Sequence, residues 1–230
     1  MHPFLGDLLH LGFPRYCSGC GRSLFLKEIC LCMPCLVQLP KTTFHSEREN
    51  IIERLFWGKC DIHLATAFLH MTRRSTVRHM IHELKYEGND KIGIYLGKLF
   101  GHELRKHEEW RTVDFIVPVP LHPKKEKKRG YNQSQKIALG MSESMRIPYR
   151  AHALRRSANN ASQTRKSRID RWDNVETAFE ADSMIFQRYS HVLIVDDVIT
   201  TGATIEACAV AIQKLSSCKI SVATLARPTR

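Results

Sequence analysis

The chain has 230 residues, is 43% hydrophobic and 25% charged, and carries a formal net charge of +12 with a pI near 9.5. That composition belongs to a folded globular protein with room for one substantial core and a small appendage, and it excludes general disorder. No apolar run approaches the roughly 20 residues of a membrane helix, so the sequence reading expects no membrane insertion and a cytoplasmic location.

Five of the eight cysteines fall between Cys17 and Cys35. Cys17-x-x-Cys20 and Cys32-x-x-Cys35 have the paired spacing of a tetrahedral zinc site, and Gly21 eases the turn after the first pair. A small module with few core residues needs a staple, which in a cytoplasmic protein is metal rather than disulfide. The expectation is a zinc-ribbon-like module with structural Zn²⁺ on Cys17, Cys20, Cys32 and Cys35; a redox pair or plain buried thiols is the alternative. Cys30 reads as a spare thiol near the metal, and Cys60, Cys208 and Cys218 as core residues. From Pro40 to about Arg54 the chain is polar and aperiodic, which suggests a linker. The boundary is set near Asn50, with residues 1–49 as cysteine-rich module and linker and residues 50–230 as the second domain.

Residues 64–69 read as a strand, and Val77, Met80, Ile81 and Leu84 mark one face of a helix ending around Gly88. His79 and His82 share a face of this helix without a third partner, so they are not expected to be ligands. A second amphipathic helix covers residues 91–107, with Ile92, Tyr95, Leu96, Leu99, Phe100 and Leu104 as its apolar stripe. Residues 114–119 form a short strand, a basic glycine-containing loop follows, and residues 132–145 form a helix. An unbroken apolar run over residues 191–195 reads as a buried strand. A turn, a helix over residues 204–215 and a strand over residues 220–225 complete the chain. Strands alternating with helices imply an α/β fold with a mainly parallel sheet flanked by helices.

The segment VLIVDDVITTGAT carries the strongest chemical signal. Asp196 and Asp197 end the apolar run, and ligands of open parallel sheets bind at the carboxyl ends of strands. Two adjacent carboxylates suit a pair of ribose hydroxyls, because ionised carboxylates only accept hydrogen bonds. Thr200, Thr201, Gly202, Ala203 and Thr204 then offer hydroxyls, small side chains and unpaired backbone N–H groups at a helix start, which is anion-binding chemistry. The blander alternative is that this string merely caps the helix. There is no P-loop and no dinucleotide fingerprint.

Two basic stretches could serve such a ligand. In VPVPLHPKKEKKRGYNQSQKIA, Lys128 and Arg129 are placed to neutralise a diphosphate. In RRSANNASQTRKSRIDRWDNVETAF, a long polar loop, Arg165, Lys166, Arg168 and Arg171 are placed to close over it as a lid or to grip a nucleic-acid backbone.

The VLIVDDVITTGAT segment resembles the phosphoribosyl diphosphate motif of type I phosphoribosyltransferases. The resemblance implies that fold, ribose contacts from Asp196 and Asp197, 5-phosphate contacts from Thr200 to Thr204, and Mg²⁺ bridging ribose hydroxyls and diphosphate. VPVPLH with RGYNQ, Gln163, Asn174 before Ala178 and Phe179, LKYEG at residues 84–88 and the cysteine-rich start together resemble the ComF (competence protein F) family over nearly the whole chain. That resemblance implies handling of single-stranded DNA in natural transformation or related DNA processing. The alternative is a working phosphoribosyltransferase that transfers the phosphoribosyl group to a nitrogen acceptor and releases diphosphate, with Asp196, Asp197 and Arg129 as its catalytic residues. A third expectation is a ligand sensor without turnover that controls assembly with a helicase-like competence partner.

Overall fold

A computed structural model describes residues 15–25, 27–156 and 179–229. In chain order the elements are helix α1 (Met33–Val37), strand β1 (Leu64–Met71), helices α2 (Thr76–Tyr86), α3 (Asp90–Leu104) and α4 (Glu108–Arg111), strand β2 (Phe115–Pro118), helices α5 (Pro123–Arg129) and α6 (Gln133–Met145), strands β3 (Leu154–Arg156) and β4 (Phe179–Ala181), helix α7 (Ser183–Phe186), strand β5 (His191–Val198), helix α8 (Ala203–Gln213) and strand β6 (Lys219–Pro228). Four strands form a parallel sheet in the order β1-β6-β5-β2, and β3 pairs antiparallel with β4 in a separate ribbon.

The sheet is parallel because helices separate its strands in sequence, and both faces are therefore covered. Alternate residues of β5 divide between two cores. Leu193 and Val195 join α2, α3 and α6 on one face, and Val192 and Ile194 join α8 and Phe186 on the other. This two-sided burial is why the segment reads as an unbroken apolar run. Helix starts are set by side chains: Ser75 accepts from the Arg78 amide at α2, and Asn132 accepts from the Ser134 amide at α6.

Helices α3 and α6 pack backbone against backbone. A Cβ on Gly140 would stand 2.0 Å from the Ile94 carbonyl oxygen, and one on Gly97 would stand 2.3 Å from the Ile137 carbonyl oxygen. Lys98–Glu143 and Lys136–Asp90 ion pairs, each 2.6 Å, flank the contact.

The segment expected to be a linker is seated on the sheet. Lys41 bridges to Leu69, the Thr42 amide donates to the Phe68 carbonyl, and the Asn50 amide group donates to the carbonyls of Phe44, Glu47 and Ala65. Polar composition there reflects satisfied turn carbonyls. The cysteine-rich part also joins the main core, since Cys17, Leu24, Leu31, Cys32 and Leu39 cluster with Phe68, Leu84 and Leu96.

The basic stretch after β2, expected as a loop, is helix α5. Pro123 suits its first turn, the His122 ring accepts from the Lys124 amide, and Gly130, at φ +82°, ends it. Such a helix has no apolar stripe to announce it.

Candidate functional site

Asp196 and Asp197 stand at the carboxyl end of β5, where the strand leaves the buried sheet. Asp196 Oδ1 accepts from Ser134 Oγ at 2.8 Å and from the Asp197 amide at 2.9 Å. Lys85 Nζ lies 2.9 Å from Asp197 Oδ1, with both side chains mostly buried. Burial and the adjacent Asp197 carboxylate push the Asp196 carboxyl up to about 7, against the pull of Ser134, the Asp197 amide and Lys85. The two adjacent carboxyl groups offer closely spaced acceptor oxygens to a cation or hydroxyl donor arriving there.

The chain then turns into α8 through Gly202, at φ +82°, which sits against the Phe56 ring. Gly202 itself supplies no side-chain cap, and Thr201 Oγ1 accepts from the Ala203 amide at a long 3.4 Å. Thr200, Thr201, Ala203 and Thr204 are exposed, and with Asp196 they line a recess of about 40 Å³. The recess lies at the start of an 11-residue helix, where first-turn amides lack intrahelical partners and the dipole favours negative charge.

The RGYNQS segment is built around the same corner. Arg129 donates to Gln133 Oε1 at 2.7 Å and stacks 5.2 Å above the Tyr86 ring, next to Lys85. Tyr131 Oη donates to the Leu84 carbonyl at 2.7 Å, and Asn132 Nδ2 donates to the Val119 carbonyl at 2.9 Å. Those two bonds tie the end of α2 and the end of β2 to the start of α6, which sets Lys85 and Ser134 against the aspartates. Lys124, Lys125, Lys127 and Lys128 are exposed along α5. Lys128 makes no ion pair or hydrogen bond with the aspartates among the described residues. Arg165 and Arg171, with Gln163, Lys166, Arg168 and Asn174, lie outside the described residues.

Lys85 and Ser134 are the site residues that sequence reasoning missed. The signal available in the LKYEG and RGYNQS segments was a basic or hydroxyl residue directly after a buried helix position in each.

The Sγ atoms of Cys17, Cys20, Cys32 and Cys35 lie within 4.8 Å of one another. The Cys20–Cys32 separation is 3.7 Å, close to the roughly 3.8 Å that two thiolates span across a tetrahedral zinc with 2.3 Å bonds. The Gly19 and Cys32 amides donate to Cys17 Sγ at 3.3 and 3.2 Å, and a Cβ on Gly19 would press 2.9 Å from Cys35 Sγ. Burial opposes ionisation of Cys32, but hydrogen bonds from Arg22 and its neighbours outweigh it and bring the thiol down to about 6. The donor set fits a structural metal such as zinc. Cys30 stands outside the cluster, and burial raises its thiol to about 11. His79 and His82 pair with Glu83 and Glu87 on the surface of α2.

Asn89 joins the two regions: its Nδ2 lies 3.2 Å from Ser18 Oγ, inside the first cysteine pair, and 2.7 Å from Glu83 Oε2 on α2.

No family model matches the chain. Competence protein F of Haemophilus influenzae is 27% identical over 223 residues, covering 95% of this chain and 93% of that protein. The chain is thus similar to a competence protein over nearly its whole length. DNA utilization protein YhgH of Escherichia coli is 32% identical over 129 residues, covering 55% of the chain. The YhgH of Salmonella typhimurium is 29% identical over 129 residues. These matches span 56% of each YhgH protein. Among solved structures, the glutamine phosphoribosylpyrophosphate amidotransferase from B. subtilis complexed with ADP and GMP has a TM-score of 0.44 at 19% identity, over 62% of this chain and 30% of that one. The allosteric regulatory enzyme of purine biosynthesis has a TM-score of 0.43 at 18% identity, over 62% of this chain and 29% of that one. No helix among the described residues is long and apolar enough to cross a membrane.

Proposed function

We propose that this ComF-like chain binds phosphoribosyl diphosphate, or a related ribose 5-phosphate ligand, and acts with single-stranded DNA in DNA uptake or related DNA processing. The observation that carries the ligand reading is the junction of β5 and α8, where a carboxylate pair anchored by Lys85 and Ser134 adjoins an exposed Thr/Gly helix start. In this reading Asp196 and Asp197 hold the ribose hydroxyls, residues Thr200 to Thr204 hold the 5-phosphate, and Arg129 with Lys128 faces the diphosphate. Arg165 and Arg171 complete the diphosphate grip. Mg²⁺, when bound, supplies a hard cation that offsets diphosphate charge with few protein ligands. Lys85 keeps Asp197 in place and offsets the charge of the pair until ligand arrives.

The DNA part is supported by the net charge of +12, the four exposed lysines on α5 and the relatives' names, which refer to competence and DNA utilization. The cysteine-rich part up to about residue 49, holding zinc, adds a second face to the phosphoribosyl part beyond it.

The test is equilibrium binding of phosphoribosyl diphosphate to zinc-loaded protein with Mg²⁺, against Asp197→Asn, with diphosphate release followed in the presence of nucleobases. The expected result is binding that the substitution weakens at least tenfold. Absence of binding overturns the ligand reading. Acceptor-dependent release would make the chain a working phosphoribosyltransferase. In parallel, oligonucleotide affinity is expected to fall steeply with salt, and a flat salt response overturns the DNA reading.

A further inference from the structure

A second group of metal-ligating side chains lies away from both the cysteine cluster and the aspartates. His45, Glu103 and His107 present ligand atoms within 4.8 Å of one another. His45 stands in the 3-10 turn Phe44–Ser46, Glu103 in the last turn of α3, and His107 directly before α4. The turn is held in place through its backbone, because the buried Trp110 indole donates to the His45 carbonyl at 2.9 Å.

The His45 side chain is only 9% exposed, yet among the described residues its ring makes no hydrogen bond: Nδ1 is buried without a partner there, and Nε2 lies 3.9 Å from Glu103 Oε1, beyond hydrogen-bond range. Nε2 thus faces a carboxylate oxygen without bonding to it, at a spacing closer to that of two ligand atoms on one ion than to that of a hydrogen bond. The His107 ring meets the His45 ring edge-on, with centroids 4.8 Å apart. Lys106 holds Glu103 Oε2 at 3.0 Å and leaves Oε1 turned towards His45. Burial and the neighbouring His107 lower the His45 pKa, which keeps the ring neutral and its lone pair available at neutral pH.

We propose that His45, Glu103 and His107 form a second metal site that takes one divalent d-block cation, zinc foremost. Two imidazole nitrogens and one carboxylate oxygen make a zinc donor set with a fourth position open to water, and imidazole ligands disfavour Mg²⁺ and Ca²⁺. The His45–Glu103 gap of 3.9 Å differs by about 0.5 Å from the roughly 3.4 Å across a shared tetrahedral ion with bonds near 2.1 Å. Such an ion ties the turn that follows the cysteine-rich part to the corner between α3 and α4. Lys106 competes for Glu103 and sets the affinity. The proposal stands apart from the ribose phosphate reading.

The experiment loads the full chain with one equivalent of zinc, verifies that the four clustered thiols are protected from a thiol reagent, and then titrates Co²⁺. A second equivalent is expected to bind with visible cobalt bands and without the near-ultraviolet band of thiolate-to-cobalt charge transfer. His107→Ala and Glu103→Gln are expected to weaken this second binding at least tenfold while zinc content and circular dichroism stay unchanged, and Lys106→Gln is expected to tighten it. No second equivalent in the unsubstituted chain, or one of equal affinity in both His107→Ala and Glu103→Gln, overturns the proposal. If either variant misfolds, the response of Lys106→Gln decides: unchanged or weaker binding is contrary to the site.

Discussion

Replacing Asp196 by Asn should make the protein more stable at alkaline pH and leave it nearly unchanged in acid. The amide is isosteric and its oxygen still accepts from Ser134 and from the Asp197 amide. The wild-type carboxyl titrates at about 7 when folded and near its ordinary 3.8 when unfolded. Between those values the folded state holds a proton that the unfolded state has lost, so stability falls as pH rises through the window. At about 1.4 kcal/mol per pH step the full effect is about 4 kcal/mol, which partial exposure of the group reduces to roughly 2–4 kcal/mol. His191 works in the opposite direction over part of the same range. Burial lowers its pKa from 6.5 to about 4, so its contribution is lost as pH falls from 6.5 towards 4. The informative quantity is therefore the difference between variant and wild type, in which His191 cancels. Urea unfolding at intervals from pH 4.5 to 8.5 measures it. A stability difference independent of pH, or one that grows towards acid, refutes the reasoning about Asp196.

Gly140→Ala should destabilise by about 3 kcal/mol, because the new methyl meets backbone rather than a movable side chain. In an exposed helix the same change would stabilise by about 1 kcal/mol, so a raised urea midpoint would contradict the close packing of α3 and α6. Cys20→Ser should lower zinc content and the melting temperature of the whole chain together, since the cysteine-rich part shares its core with α2 and α3. A separate early transition in calorimetry, with the main one unmoved, would show that this core is not shared in energy.

Much of the layout was legible because its physics is local. A strand buried on both faces must be apolar throughout, so Val192 to Val195 announced itself, and the aspartates that follow mark where it leaves the sheet. The cysteine pairs were legible through their spacing alone. Lys85 was hidden because the end of an amphipathic helix usually carries a solvated lysine, and only the fold brings this one to Asp197. Helix α5 was hidden because its residues face solvent, and its ends are set by Pro123 and Gly130 rather than by an apolar stripe. The short β3–β4 ribbon gave no periodicity to read, since each strand has three residues.

The Asn89 bridge has a consequence for a cell short of zinc or under oxidative stress. One side chain holds both the first cysteine pair, through Ser18, and α2, through Glu83, two residues before Lys85. A change of thiol geometry that displaced Ser18 would take one partner from Asn89, whose other partner, Glu83, stands one turn from Lys85's end of the helix. Thermodynamic reciprocity requires that a ligand drawing that helix end tight must, to the same degree, make the cysteines harder to strip or oxidise. The state of the cysteines and the corner that holds the aspartates are thus joined through a single amide.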